Sequence, residues 1–70
     1  MTLKELQKLF PDATAETWHQ HPNGKGWVQN IAEVADTAFV GPDALVYGNA
    51  EVSGNAQVSG NAQVSGNGSI

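Results

Sequence analysis

The chain has 70 residues and no cysteine, so it holds at most one small domain and has no disulfide framework to brace it. Three Lys, no Arg and seven acidic residues give a formal net charge of −4, and direct binding to a nucleic-acid backbone rests on clustered cations that are missing here. No apolar run approaches the roughly 20 residues of a membrane-spanning helix, and the N-terminus lacks the apolar core of a secretory signal. The expectation is an acidic protein of the cytoplasm or of a virion, with neither membrane nor direct nucleic-acid partners.

The first element is a helix. Thr2 followed by Glu5 forms a capping box that satisfies the leading N–H groups. Leu3, Leu6, Leu9 and Phe10 lie on one face, and Pro11 stops the run. A brief second turn is expected around Ala13–Trp18. Pro22-Asn23-Gly24-Lys25-Gly26 then reads as a loop, and Trp27-Val28 opens the second half of the chain. The apolar side chains of residues 1–26, together with Trp27, are expected to cover one end of that second half, as a helical N-terminal cap with a loop leading out of it.

The second half keeps a beat of six. Val28, Val34, Val40, Val46, Val52, Val58, Val64 and Ile70 fall six residues apart, and four residues after each comes a small residue, from Ala32 through Ala62 to Gly68. A period of six places no stripe along a helix. Within each unit the small residue, the next residue and the valine alternate as in a short strand, for example Ala56-Gln57-Val58. Ser53-Gly54-Asn55 and its later copies are turn formers. Charge is uneven as well: residues 1–27 sum to zero, Glu33, Asp36, Asp43 and Glu51 carry the whole −4, and nothing ionisable lies beyond Glu51.

On these residues the segment 27–70 resembles the hexapeptide-repeat superfamily, in which an aliphatic residue and a small residue four places later both face inward. The resemblance implies a mainly β fold: a short left-handed parallel β-helix of about two coils, with 18 residues per coil, capped by the N-terminal α-helix. Gly48, Gly54, Gly60 and Gly66 stand one place later than the family's usual glycine. With 18 residues per coil, side chains stack in columns: Val28, Val46 and Val64; Val34, Val52 and Ile70; Val40 and Val58.

No counterpart of the N-terminal cap is expected at the trailing end, which should present an apolar cross-section of Val58, Val64 and Ile70. A scaffold this small also buries little apolar area. Self-association is the expected remedy, as a dimer stacked end to end across a twofold axis or as a trimer packed side by side. Outward Ile31, Phe39, Leu45 and Tyr47 are apolar where later copies are polar; they receive the helix or meet a neighbouring subunit. Phe39, Leu45, Val64 and Ile70 are the candidate oligomer contacts.

Chemistry is sparse. Enzymes of the superfamily use a histidine base between neighbouring solenoids, or three histidines holding a metal across a trimer interface. Residues 28–70 contain no His, Cys, Lys or Arg, so those roles have no positions to occupy and no general base near neutrality stands on the repeat. The two histidines, His19 and His21, are two residues apart; in extended chain they would share a face, too few for a metal without a third ligand. No metal and no cofactor are expected. Trp18, His19, His21, Lys25, Trp27 and Tyr47 form the candidate ligand or partner surface.

The leading functional expectation is a non-enzymatic homo-oligomeric β-solenoid that presents a surface, as a structural or protein-interaction module. The Gly-Trp-Val start and the short hexads resemble small phage and bacterial proteins. One alternative is a phage-type inhibitor or sponge that holds a small host signal or a host protein at inter-subunit pockets. Another is a vestigial trimeric transferase or a γ-carbonic-anhydrase-like protein.

Overall fold

A computed structural model of the protein describes residues 1–69; Ile70, expected in an interior column and at an oligomer contact, lies outside the described residues. Helix α1 spans Leu3–Leu9, with Thr2 as its N-cap. The Thr2 Oγ1 accepts from the Glu5 N–H at 3.2 Å, and the Glu5 carboxylate accepts from the Thr2 N–H at 2.9 Å, closing the capping box that the sequence announces. The Thr2 backbone and side chain hold the Glu5 carboxyl below its usual range. Phe10, which leaves helical geometry ahead of Pro11, ends the helix.

The strands are β1 (Trp18–Gln20), β2 (Trp27–Gln29), β3 (Glu33–Val34), β4 (Phe39–Val40), β5 (Leu45–Val46), β6 (Glu51–Val52), β7 (Gln57–Val58) and β8 (Gln63–Val64). They form one four-stranded sheet, β1-β2-β5-β8, and two two-stranded sheets, β3-β6 and β4-β7. Strand β1 runs antiparallel to β2, and every other pairing is parallel. The parallel registers place Val28 beside Val46 and Val46 beside Val64, Val34 beside Val52, and Val40 beside Val58. Valines 18 residues apart therefore meet, three beats of six along the chain.

The expectation of a left-handed parallel β-helix with a purely helical cap is corrected. The described residues form no closed sheet and no solenoid: they give one short helix and short strands in three separate sheets, one mixed and two parallel. The physical reason is the number of layers. Strands β3 and β4 each have a single partner strand, and the largest sheet reaches four members only by recruiting the antiparallel β1 from outside the repeat. Residues 1–26 contribute a strand as well as a helix.

Two apolar clusters hold these pieces together. The first joins the valines to Ala32, Ala38, Ala44 and Ala50, and Val40 and Val46 in it have no exposed surface. Each such valine contributes roughly 1.5–3 kcal/mol by leaving water. The second cluster packs Leu6 of α1 against Ala13, Trp18, Trp27 and Leu45, with Met1, Leu3, Phe10 and Tyr47 partly buried around it. Trp27 and Leu45 sit next to Val28 and Val46 in the chain but face the other way. Alternation along β2 and β5 thus lets the same strands serve both clusters.

Candidate functional site

The residues singled out from the sequence separate into three places. Trp18 and Trp27 are interior: Trp18 is buried beneath α1, and Trp27 donates from Nε1 to the Met1 carbonyl at 2.8 Å. Tyr47 is half-buried beside them. Its ring lies 4.8 Å from that of Phe10, and the Phe10 ring lies 5.1 Å from that of Trp18. These aromatics knit α1 to β1 and β5. Beside them runs an open groove of about 400 Å³ whose walls include Leu9, Phe10, Pro11, Asp12, Trp18 and Gln29. Leu9 is 55% exposed at its rim, so the leucine expected on the buried face of the helix lies largely outside it.

His19 and His21 do not share a surface. His19 is exposed, with Nδ1 2.7 Å from the Asn30 Oδ1. His21 is 2% exposed and donates from Nε2 to the Ala38 carbonyl at 2.8 Å, which assigns its proton to Nε2. The extended run ends at Gln20, and the chain turns at His21, so the same-face spacing does not apply. Among the described residues no group of three or more His, Cys, Asp or Glu side chains is placed to hold a metal.

Lys25 lies in the loop between β1 and β2, with φ at +67°. That loop closes through His21 N–H to the Gly26 carbonyl at 2.7 Å and Lys25 N–H to the His21 carbonyl at 3.0 Å. It then lies along β4: the Gly26 N–H donates to the Val40 carbonyl at 2.8 Å, and the Val40 N–H donates to the Asn23 carbonyl at 3.0 Å. Close approach requires glycine here. A Cβ on Gly24 would stand 2.2 Å from the Val40 carbonyl oxygen. Sequence reasoning found the loop but missed the hairpin. Its signal was there, a Pro-Asn-Gly turn flanked by Trp18-His19-Gln20 and Trp27-Val28-Gln29.

The leading edges of the sheets, those nearest the N-terminus, are therefore largely covered. Strand β1 covers β2, and the hairpin loop covers β4. The trailing edges differ. Glu51 of β6 bridges to Ser69, donating to the Gly68 carbonyl at 2.9 Å. Strands β7 and β8 have no strand on their trailing side among the described residues. In the preceding layer, the N–H groups of Phe39, Gly41, Leu45 and Tyr47 donate to Ala56, Val58, Ala62 and Val64. Their equivalents at Gln57, Ser59, Gln63 and Ser65 have no such acceptor among the described residues.

Burial changes along the same gradient, and no side-chain type announces it. Ala38 and Ala44 are fully buried, Ala56 is half-buried and Ala62 is exposed. Val58 and Val64, expected to form an apolar cross-section, are buried at 1% and 9% exposure. Small alanines and backbone amides, rather than valines, face outward there. Of the other oligomer candidates, Leu45 is buried under α1, and Phe39 is half-buried near Gly24 and Gly41 of the neighbouring turns. Ile31 is 63% exposed.

No described helix is long and apolar enough to cross a membrane. Compared with protein-family models, curated proteins and solved structures, the chain matches none.

Proposed function

We propose that the protein acts without catalysis, as a self-associating structural or protein-interaction module of the cytoplasm or of a virion. The observation that carries this reading is that, among the described residues, the trailing edges of β7 and β8 have no partner. Exposed strand edges invite pairing with another chain unless they are blunted. The absence of His, Cys, Lys and Arg from residues 28–70 supports a surface role over acid–base chemistry. The hexad spacing supports kinship with short hexapeptide-repeat proteins of phages and bacteria.

Light scattering across micromolar concentrations tests the proposal. The expected mass is a multiple of 7.3 kDa, and a stable monomer overturns it. The groove beside Phe10 and Trp18 favours a second reading, a binder of a small host signal or a host protein. Under that reading, one member of a nucleotide and metabolite panel raises the melting temperature; a flat panel removes it.

A further inference from the structure

We propose that two copies of the chain join trailing edge to trailing edge, pairing β7 and β8 with their counterparts in antiparallel fashion across a twofold axis. The proposal rests on self-association of the protein and names its surface. Three observations place the contact at this end. The amides of Gln57, Ser59, Gln63 and Ser65 lack acceptors within the described residues, while every equivalent amide one layer earlier has one. The inward alanines lose their cover here, with Ala62 exposed where Ala44 is fully buried.

Charge supplies the third. No ionisable side chain lies beyond Glu51, so identical copies meet at this edge without like-charge repulsion. Among the other open edges, which include the outer side of β1, the leading side of β3 lies beside Glu33 and Asp36, where a second copy would bring acid against acid. Nor does the trailing edge carry the devices that discourage pairing: β7 and β8 contain no Lys and no Pro. A twofold axis lets one surface complement itself, and antiparallel pairing satisfies donors and acceptors from both copies.

The test compares Gln63→Pro with Gln63→Ala. Both remove the side-chain bond from the Tyr47 hydroxyl to Gln63 Oε1, and only proline removes the unpartnered N–H. Sedimentation equilibrium should show Gln63→Ala associating like the parent chain and Gln63→Pro at least tenfold more weakly. Equal association by the two variants overturns the edge assignment while leaving self-association in place. A monomeric parent chain overturns both. Should Gln63→Pro fail to fold, hydrogen exchange on the parent chain decides. The Gln57 and Gln63 amides should exchange at least tenfold more slowly in concentrated than in dilute protein, and exchange independent of concentration overturns the assignment.

Discussion

The two ends of the parallel strands are finished in different ways. At the leading end, residues outside the repeat do the closing. Strand β1 pairs with β2, the hairpin loop pairs with β4, and α1 lays Leu6 over Trp18, Trp27 and Leu45. At the trailing end β7 and β8 keep a free side among the described residues. The contrast shows a limit of repetition. A unit that pairs with its own copy one layer on presents the same unpaired groups at its last layer as at every earlier one. Only a different sequence, or a second molecule, closes it.

If the leading end is where stability is concentrated, breaking it should cost most. Trp18→Ala removes a ring that touches α1, Phe10 and Tyr47, and should destabilise the fold by about 3–5 kcal/mol. Urea titration at fixed protein concentration measures this. Val64→Ala, in the last described layer, should cost clearly less, because its surroundings are already partly open. Equal losses would contradict the asymmetry.

A pair of glycines sharpens it. Gly24 and Gly54 both have positive φ, but a Cβ on Gly24 would collide with Val40, whereas one on Gly54 would meet nothing within 4 Å. Gly54→Ala should cost about 1–2 kcal/mol from its left-handed backbone alone. Gly24→Ala adds an overlap that can be relieved only by lifting the loop off β4, for roughly 2–4 kcal/mol in all. Exchange of the Val40 amide, which Asn23 protects, should rise in Gly24→Ala and stay unchanged in Gly54→Ala.

Legibility in the sequence divides along the same line. The valine columns are legible from the six-residue beat taken together with the 18-residue coil that the resemblance implies, because burial and in-register pairing are both periodic. The capping box is equally local, set by Thr2 and Glu5. Sheet organisation escapes such reasoning, since periodicity says how layers align and is silent on whether enough layers exist to make a solenoid. The site is less legible still. His19 and His21 read as a pair in the sequence, but the turn at His21 sends one ring to Ala38 and the other to Asn30. The amides of β7 and β8 that lack acceptors among the described residues are backbone groups with no residue signature at all.

The helix cap offers a smaller effect with a pH signature. Thr2→Ala should cost about 1 kcal/mol. Thr2 holds the Glu5 carboxyl below its ordinary value, so the folded state favours the carboxylate. This contribution is present at neutral pH, above the ordinary value, and is lost as pH falls through the lowered folded one. The parent chain should therefore lose α1 order on acidification, and Glu5→Gln, which removes the titrating carboxyl, should show a shallower acid limb by circular dichroism. An unchanged limb would assign the acid sensitivity to other carboxylates.

The smallest effect lies where charge and repetition meet. Glu33 and Glu51 stand in register on adjacent parallel strands, both exposed, at a strand spacing near 4.8 Å. Like charges directly opposite one another destabilise a sheet, and the later copies place Gln57 and Gln63 at the corresponding positions. Glu51→Gln should therefore stabilise the protein by about 0.2–0.5 kcal/mol at low ionic strength, with the gain shrinking as salt screens the pair over roughly 10 Å at 0.1 M. Glu33→Gln should give a similar gain, and the double variant less than their sum, because either substitution alone relieves the shared repulsion. Strict additivity would mean that each glutamate feels the net negative charge of the whole chain rather than its neighbour, and β3 and β6 would then be held in register by Val34 and Val52 with no opposition from the charges beside them.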